Sequence, residues 1–205
     1  MQNSEIEQFV HENEWINGAR VVSTDSDTQS CRVKIDLSPA GHELIRDRGM
    51  PELERRLQSG RRHDDTITDT WDFRADRSGP GWKNIPEEGP DFPAVLSRLD
   101  ENSKYRWLLD VSLELDWFRG HFPDNPVLPG VVQLHWAVKV AQAIFGLKGV
   151  PAEIKRLKFK NIVIPPRVLE LSVFRLSENE VQFGFISMGQ QHSEGRLVFG
   201  ESLSC

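Results

Sequence analysis

Gly120-His121-Phe122-Pro123-Asp124-Asn125-Pro126-Val127-Leu128-Pro129-Gly130 runs directly into Val131-Val132-Gln133-Leu134-His135-Trp136-Ala137-Val138, and this junction decides the fold. Pro123, Pro126 and Pro129 restrict their own φ and bias the residues before them, while Gly120 and Gly130 let another group approach the backbone. Beyond the junction, Leu134, Val138, Ala141 and Phe145 recur at helical spacing and Gly146 supplies a stop, which predicts a helix over 129–145 with Pro129 near its start. Its apolar residues occupy most sides, the signature of a helix buried in a core. The N-terminus of such a helix carries unpaired N–H groups and the positive end of its dipole, suited to a developing oxyanion.

The chain on either side reads as strands. Tyr105–Leu115 ends in alternation at Val111, Leu113 and Leu115. After the helix, Ile154–Ile164, Val168–Leu176, Val181–Met188 and His192–Gly200 are separated by turn residues such as Ser177-Glu178-Asn179. One long buried helix wrapped by an antiparallel sheet is the simplest architecture, an α+β class.

The pattern His-Phe-Pro-x-x-Pro-x-x-Pro-Gly from His121 to Gly130 resembles that of the hot-dog-fold 3-hydroxyacyl-acyl-carrier-protein dehydratases, the FabZ and FabA type. The resemblance covers roughly residues 93–205 and extends to the strand Arg156-Leu157-Lys158-Phe159. It implies a hot-dog fold and a homodimer with its active site at the subunit interface. The implied substrate is a 3-hydroxyacyl thioester on phosphopantetheine of an acyl-carrier protein or coenzyme A, dehydrated with no other cofactor. Carried over, His121 takes the α-proton, the Gly130 N–H polarises the thioester carbonyl, and the Val127 carbonyl holds the imidazole. Phe122, Pro129 and Gln133 join Val127 as substrate-binding residues. The roles suit the chemistry, since a weakly acidic α-proton needs a base near neutrality together with enolate stabilisation.

One position departs from the pattern. The family carries Glu or Asp where this chain has His135, fourteen residues after His121. A histidine exchanges a proton with a leaving hydroxyl only if it enters protonated, which burial opposes. Gln133 offers a hydrogen bond but no proton. The segment Leu128–Ala137 resembles the variant dehydratases of aryl polyene and pigment clusters, which implies an aryl- or polyene-bearing acyl group. Two alternatives stay open: thioester hydrolysis on the same fold, and a non-catalytic module that binds acyl thioesters.

The 205-residue chain has a net charge of −6, unevenly spread. Residues 101–205 carry 12 basic and 11 acidic side chains, leaving 13 and 20 to residues 1–100. This asymmetry points to two units, 1–90 and 91–205, and neither is basic enough for nucleic acid as the main ligand. The Gly- and Pro-rich stretch 75–92 reads as a linker or irregular loop between them. The first unit reads as a small α+β domain. Ala19–Ser23, Cys31–Leu37 and Thr66–Phe73 are strand-like, Ser38 with Pro39 opens a helix, and Gly49-Met50-Pro51 splits that helix in two. Asn17–Val22, Leu37–Leu44 and Thr70–Phe73 resemble the C-terminal lid of acyl-AMP ligases, with Lys83 in Pro80-Gly81-Trp82-Lys83 as a loose match to the ligase lysine. The nucleotide-binding ligase domain has no counterpart, so this half reads as a remnant or docking module.

Arg119, Lys155, Arg156, Lys158 and Lys160 (with Arg167) form a basic set suited to an acidic carrier protein, and equally to an ordinary solvated strand face. Trp107, Trp117 and Trp136 read as core or dimer contacts. His42, His63, His192, Cys31 and Cys205 show no ligand spacing, so no metal site is expected. No apolar run approaches the roughly 18 residues of a membrane span. The start Met1-Gln2-Asn3-Ser4-Glu5 lacks the basic, then apolar, character of a secretory signal. A cytoplasmic location is expected.

Overall fold

The computed structural model describes residues 3–25, 30–59, 70–78, 82–119 and 125–200. The hydrophobic alternation of the second half folds into six strands among the described residues. They are β4 (Ala94–Glu101), β5 (Lys104–Val111), β6 (Pro151–Phe159), β7 (Arg167–Arg175), β8 (Glu180–Ser187) and β9 (Gln190–Phe199). They pair in the order β4-β5-β7-β8-β9-β6, every neighbour antiparallel.

Across the inner face lies α4 (Gly130–Phe145), with Pro129 at its N-cap and Gly146 in the left-handed conformation at its end, as the sequence predicts. Val132, Trp136, Ala137, Val140 and Ala141 bury one side of this helix against Trp107, Leu109, Leu171, Val173, Phe183 and Leu197. Full burial contributes about 1.5–3 kcal/mol for each large side chain, so this interface dominates the stability of the unit. The helix is not buried on every side, as its apolar surround implied, since Val131 and His135 are exposed. A helix wrapped by an antiparallel sheet is the hot-dog arrangement.

The first half forms α1 (Asn3–Glu12), β1 (Ile16–Asp25), β2 (Ser30–Leu37), α2 (Pro39–Arg48), α3 (Met50–Ser59) and β3 (Thr70–Asp72). β1 and β2 are antiparallel, and β3 adds to β2 in parallel. The Ser38 side chain accepts a hydrogen bond from the Gly41 N–H at 3.1 Å, capping α2, and the chain breaks at Gly49 into α3. A Cβ on Gly41 would stand 2.1 Å from the Trp15 carbonyl oxygen, so the start of α2 packs on backbone that cannot yield.

Three expectations need correction. The strand expected over Tyr105–Leu115 ends at Val111, and a 3-10 turn at Asp116–Phe118 follows. The strand expected over Ile154–Ile164 ends at Phe159. β4 was not anticipated at all. Of the strand expected over Thr66–Phe73, residues 66–69 lie outside the described residues.

The two halves share a buried seam. The outer face of the sheet contributes Leu96 and Leu108 to the apolar cluster of Ile35, Ile45, Leu53 and Leu57, with Val168 packed against it. Within this seam His42 Nδ1 lies 3.0 Å from Ser97 Oγ, and His42 Nε2 lies 2.9 Å from Glu170 Oε2. Arg106 reaches Glu170 at 3.4 Å and Glu101 at 2.9 Å, and pairs with Glu43 of α2. Of the stretch 75–92, read as a linker or irregular loop, residues 82–92 form an irregular segment that packs inward: Ile85 and Phe92 are buried in the core around α4.

Candidate active site

The site is built at the head of α4. The Leu128 N–H donates to the Val163 carbonyl at 2.9 Å, which ties the incoming loop to the segment after β6. Pro129 adopts φ −60° and ψ 140°, and its carbonyl accepts from Val132 N–H at 3.0 Å and Gln133 N–H at 3.3 Å. The N–H groups of Gly130 and Val131 are therefore first-turn donors with no partner in the helix. A Cβ on Gly130 would meet the Phe159 ring at 2.5–2.8 Å. Only glycine lets the β6 phenyl ring lie against the helix head, and this leaves the Gly130 N–H bare of its own side chain.

His121 and Phe122 lie outside the described residues. His135 is exposed, not buried as expected, and meets the Trp117 indole edge-on at 5.9 Å between ring centroids. Its pKa falls below the usual 6.5, first through partial desolvation and then through Lys139, with Asp91 opposing. Trp117 and Trp136 both donate their indole N–H to the Asp91 carbonyl, at 2.8 and 2.9 Å, fixing the approach to β4 against the helix. Trp107 and Trp136 are fully buried core residues and Trp117 is half-buried.

Gln133 points the other way. It is buried against β9, where its Oε1 accepts from Ser193 Oγ at 2.6 Å. Helical geometry puts Gln133 and His135 about 200° apart, so the structure separates the two polar candidates. Val127 and Pro129 are half-buried on the approach to the helix.

The basic set divides. Arg119 pairs with Asp116 at 2.9 Å, Lys155 with Glu153 at 3.3 Å and Lys160 with Glu194 at 3.0 Å. Arg156, at φ 52°, and Lys158 line a depression across β6, β8 and β9 with Gln182, Glu194 and Arg196. Among the described residues, no group of three or more His, Cys, Asp or Glu side chains is placed to hold a metal ion. Neither is there a helix long and apolar enough to cross a membrane.

Sequence reasoning missed the His42–Glu170–Arg106 cluster. His42 and Glu170 lie 128 residues apart and the three follow no motif, so only the docked fold reveals them.

An antiparallel sheet around one long helix, with a glycine at the head of that helix, defines a hot-dog protein. The family model described as ApeI dehydratase matches residues 97–196. A 3-hydroxyacyl-acyl-carrier-protein dehydratase FabZ of Alkaliphilus metalliredigens is 33% identical over 103 residues, 47% of this chain and 65% of that protein. The FabZ of Ruminiclostridium cellulolyticum is 33% identical over 112 residues, 49% of this chain and 79% of that protein. The solved dehydratase heterocomplex ApeI:P from Xenorhabdus doucetiae matches with 29% identity and a TM-score of 0.48, covering 52% of this chain and 96% of that one. The chain belongs to the 3-hydroxyacyl-acyl-carrier-protein dehydratase family, a family of hydro-lyases.

Proposed function

We propose that this chain removes water from a 3-hydroxyacyl thioester on the phosphopantetheine of an acyl-carrier protein, giving the trans-2-enoyl thioester, with aryl- or polyene-bearing acyl groups as substrates. His121 takes the α-proton, and the electron pair moves onto the thioester oxygen, where the Gly130 N–H stabilises the enolate. The C3–O bond then breaks, and the hydroxyl leaves as water with a proton from His135. The Val127 carbonyl orients the His121 imidazole, and Phe122 and Pro129 shape the acyl path, while Gln133, held by Ser193, supports the helix from the core side. Arg119, Lys155, Arg156, Lys158 and Lys160 receive the carrier protein, with Arg156 and Lys158 forming the centre of that patch.

The observation that carries this reading is the helix head: Gly130, kept as glycine by the Phe159 ring, ends the full histidine–proline motif in a member of a dehydratase family. The working unit is a homodimer. Exposed Val131 and His135, four residues apart, share one helix face, and exposed Ile154 and Phe159 lie on β6, an edge strand. A second copy on this face covers that apolar surface and closes the site around His135. The protein works in the cytoplasm and needs no cofactor beyond the pantetheine arm. The first unit, whose three strands carry Asn17–Val22, Leu37 and Thr70–Asp72 in one sheet, serves as a lid-derived docking module.

A second reading, an acyl-thioester binding module, is favoured by one observation: His135 stands where the family carries a carboxylate, and its lowered pKa leaves less of it protonated at neutral pH. Conjugated enoyl absorbance with an aryl 3-hydroxyacyl-pantetheine thioester decides between them. Turnover lost in His121→Ala and in His135→Ala supports the His/His dehydratase. Loss in His121→Ala alone reduces His135 to packing. Saturable binding without turnover establishes the binding module, and a free acid product establishes a thioesterase.

A further inference from the structure

A cavity of about 810 Å³ opens where the first unit meets the outer face of the sheet, across the sheet from α4. Small-molecule sites occupy about 300–1,000 Å³, a range that includes this cleft. Its walls are apolar and drawn from both halves: Met50, Trp71 and Phe73 from one side, Leu96 and Val168 from the other. The rings of Trp71 and Phe73 lie 6.0 Å apart at 60°, a tilted aromatic wall.

Arg32, Arg48, Arg74 and Arg167 stand around this apolar surface. Arg74 pairs with Glu88 at 3.3 Å, and Arg167 donates to neutral acceptors, the Ser187 hydroxyl at 3.2 Å and the Ile164 carbonyl at 3.4 Å. Three acids also line the cavity: Glu54, Asp72 and Asp110. Asp72 is turned toward its own loop, accepting from the Arg74 N–H at 3.0 Å. Burial raises the Asp110 pKa above the usual carboxylate value, with Arg74 opposing, so Arg32, Arg48 and Arg167 face the ligand beside an acidic floor that Arg74 partly offsets.

We propose that this cleft binds an amphipathic anion, an alkyl or aryl body ending in one carboxylate or phosphate. The apolar walls take the body, and Arg32, Arg48 and Arg167 take the head. A guanidinium suits both carboxylate and phosphate through its planar fork. Two sources share this chemistry: a free carboxylic acid, and an acyl group still attached to phosphopantetheine. The floor includes Asp110 in β5, the strand from which the chain proceeds to the His121 loop, so a ligand here is placed to act on the dehydratase site from outside it. The inference rests on the cavity and not on the proposed reaction, and it stands or falls separately.

Isothermal titration calorimetry of the full chain tests it with decanoate, decanoyl-phosphopantetheine and decan-1-ol. Decanoate or the thioester binds once per chain, and the alcohol binds at least about tenfold more weakly, the range expected for hydrogen bonds to a charged group. The Arg32→Glu/Arg48→Glu variant, altered at two exposed positions, loses about tenfold in affinity without a change in melting temperature, and Met50→Trp, which narrows the cleft at its apolar wall, also weakens binding. His121→Ala leaves the affinity intact. Decanoate binding alone assigns a free acid, and thioester binding that competes with it assigns a carrier-borne acyl group. Equal binding of acid and alcohol, an unchanged affinity in the double arginine variant, or no heat from any probe overturns the proposal.

Discussion

At the residue scale, the proposed reaction rests on three positions of unequal legibility. His121 and Gly130 stand in a motif whose spacing announces them, and His121→Ala is expected to lower turnover by about 10²–10⁴, the usual contribution of a general base. His135 makes a sharper prediction because its pKa is depressed by desolvation and by Lys139. A proton donor must be protonated, so kcat/KM falls as pH rises through a value below 6.5. Lys139→Gln removes one cause of the depression, raises that pKa and moves the alkaline limb to higher pH. A pH profile identical in wild type and Lys139→Gln would rule out His135 as the acid. Gly130 is tested through its neighbour. Gly130→Ala drives a methyl into the Phe159 ring, at an overpacking cost of about 1–3 kcal/mol and with loss of turnover. Phe159→Ala in the same chain removes the obstacle, so the double variant is more stable than the sum of the single effects requires, measured by urea denaturation.

At the element scale, α2 holds the first unit on the sheet through a charged seam. His42 and Glu170 are almost fully buried, and removing one partner of such a pair costs about 3–5 kcal/mol. His42→Ala is therefore expected to lower stability by that order in urea denaturation. Burial pushes the Glu170 pKa up, but the His42 hydrogen bond with the charges of His42, Arg106 and Arg46 outweighs it, and the net shift is downward from 4.5. A carboxylate depressed in the folded state stabilises above its unfolded pKa and loses that contribution as pH falls through the folded value. Stability should thus decline as pH drops below about 4.5, and Glu170→Gln should flatten that decline. An equally steep decline in Glu170→Gln would show that other carboxylates carry it. None of this seam was legible in the sequence. Helix α4, the α2 cap and the α2–α3 break were, because each is written in local sequence: a helical apolar spacing bounded by Pro129 and Gly146, Ser38 with Gly41, Gly49 with Pro51. β4 was missed because its outer face carries Leu96 where exposed alternation expects a polar residue, and the reason is the first unit packed over it.

At the scale of the whole molecule, the charge asymmetry pointed to two units, and what joins them is buried surface. Leu96, Leu108 and Val168 sit on the outer face of the hot-dog sheet, yet they pack with Ile35, Ile45, Leu53 and Leu57. Such residues contribute about 1.5–3 kcal/mol each when fully buried, and they become exposed apolar surface if the first unit is removed. The Gly- and Pro-rich stretch does not act as a free tether either, since Ile85 and Phe92 enter the core and the Asp91 carbonyl anchors two indoles. A fragment of residues 82–205 therefore keeps its inner core but exposes an apolar stripe beside Glu170 and Arg106 without their α2 partners. It is expected to bind a hydrophobic dye strongly and to unfold at lower urea than the full chain. Substituting Leu96→Thr and Leu108→Thr in the fragment should reduce dye binding, while the same pair in the full chain should destabilise it. If the untouched fragment binds no dye and matches the full chain in urea, the seam is incidental and the two units are independent.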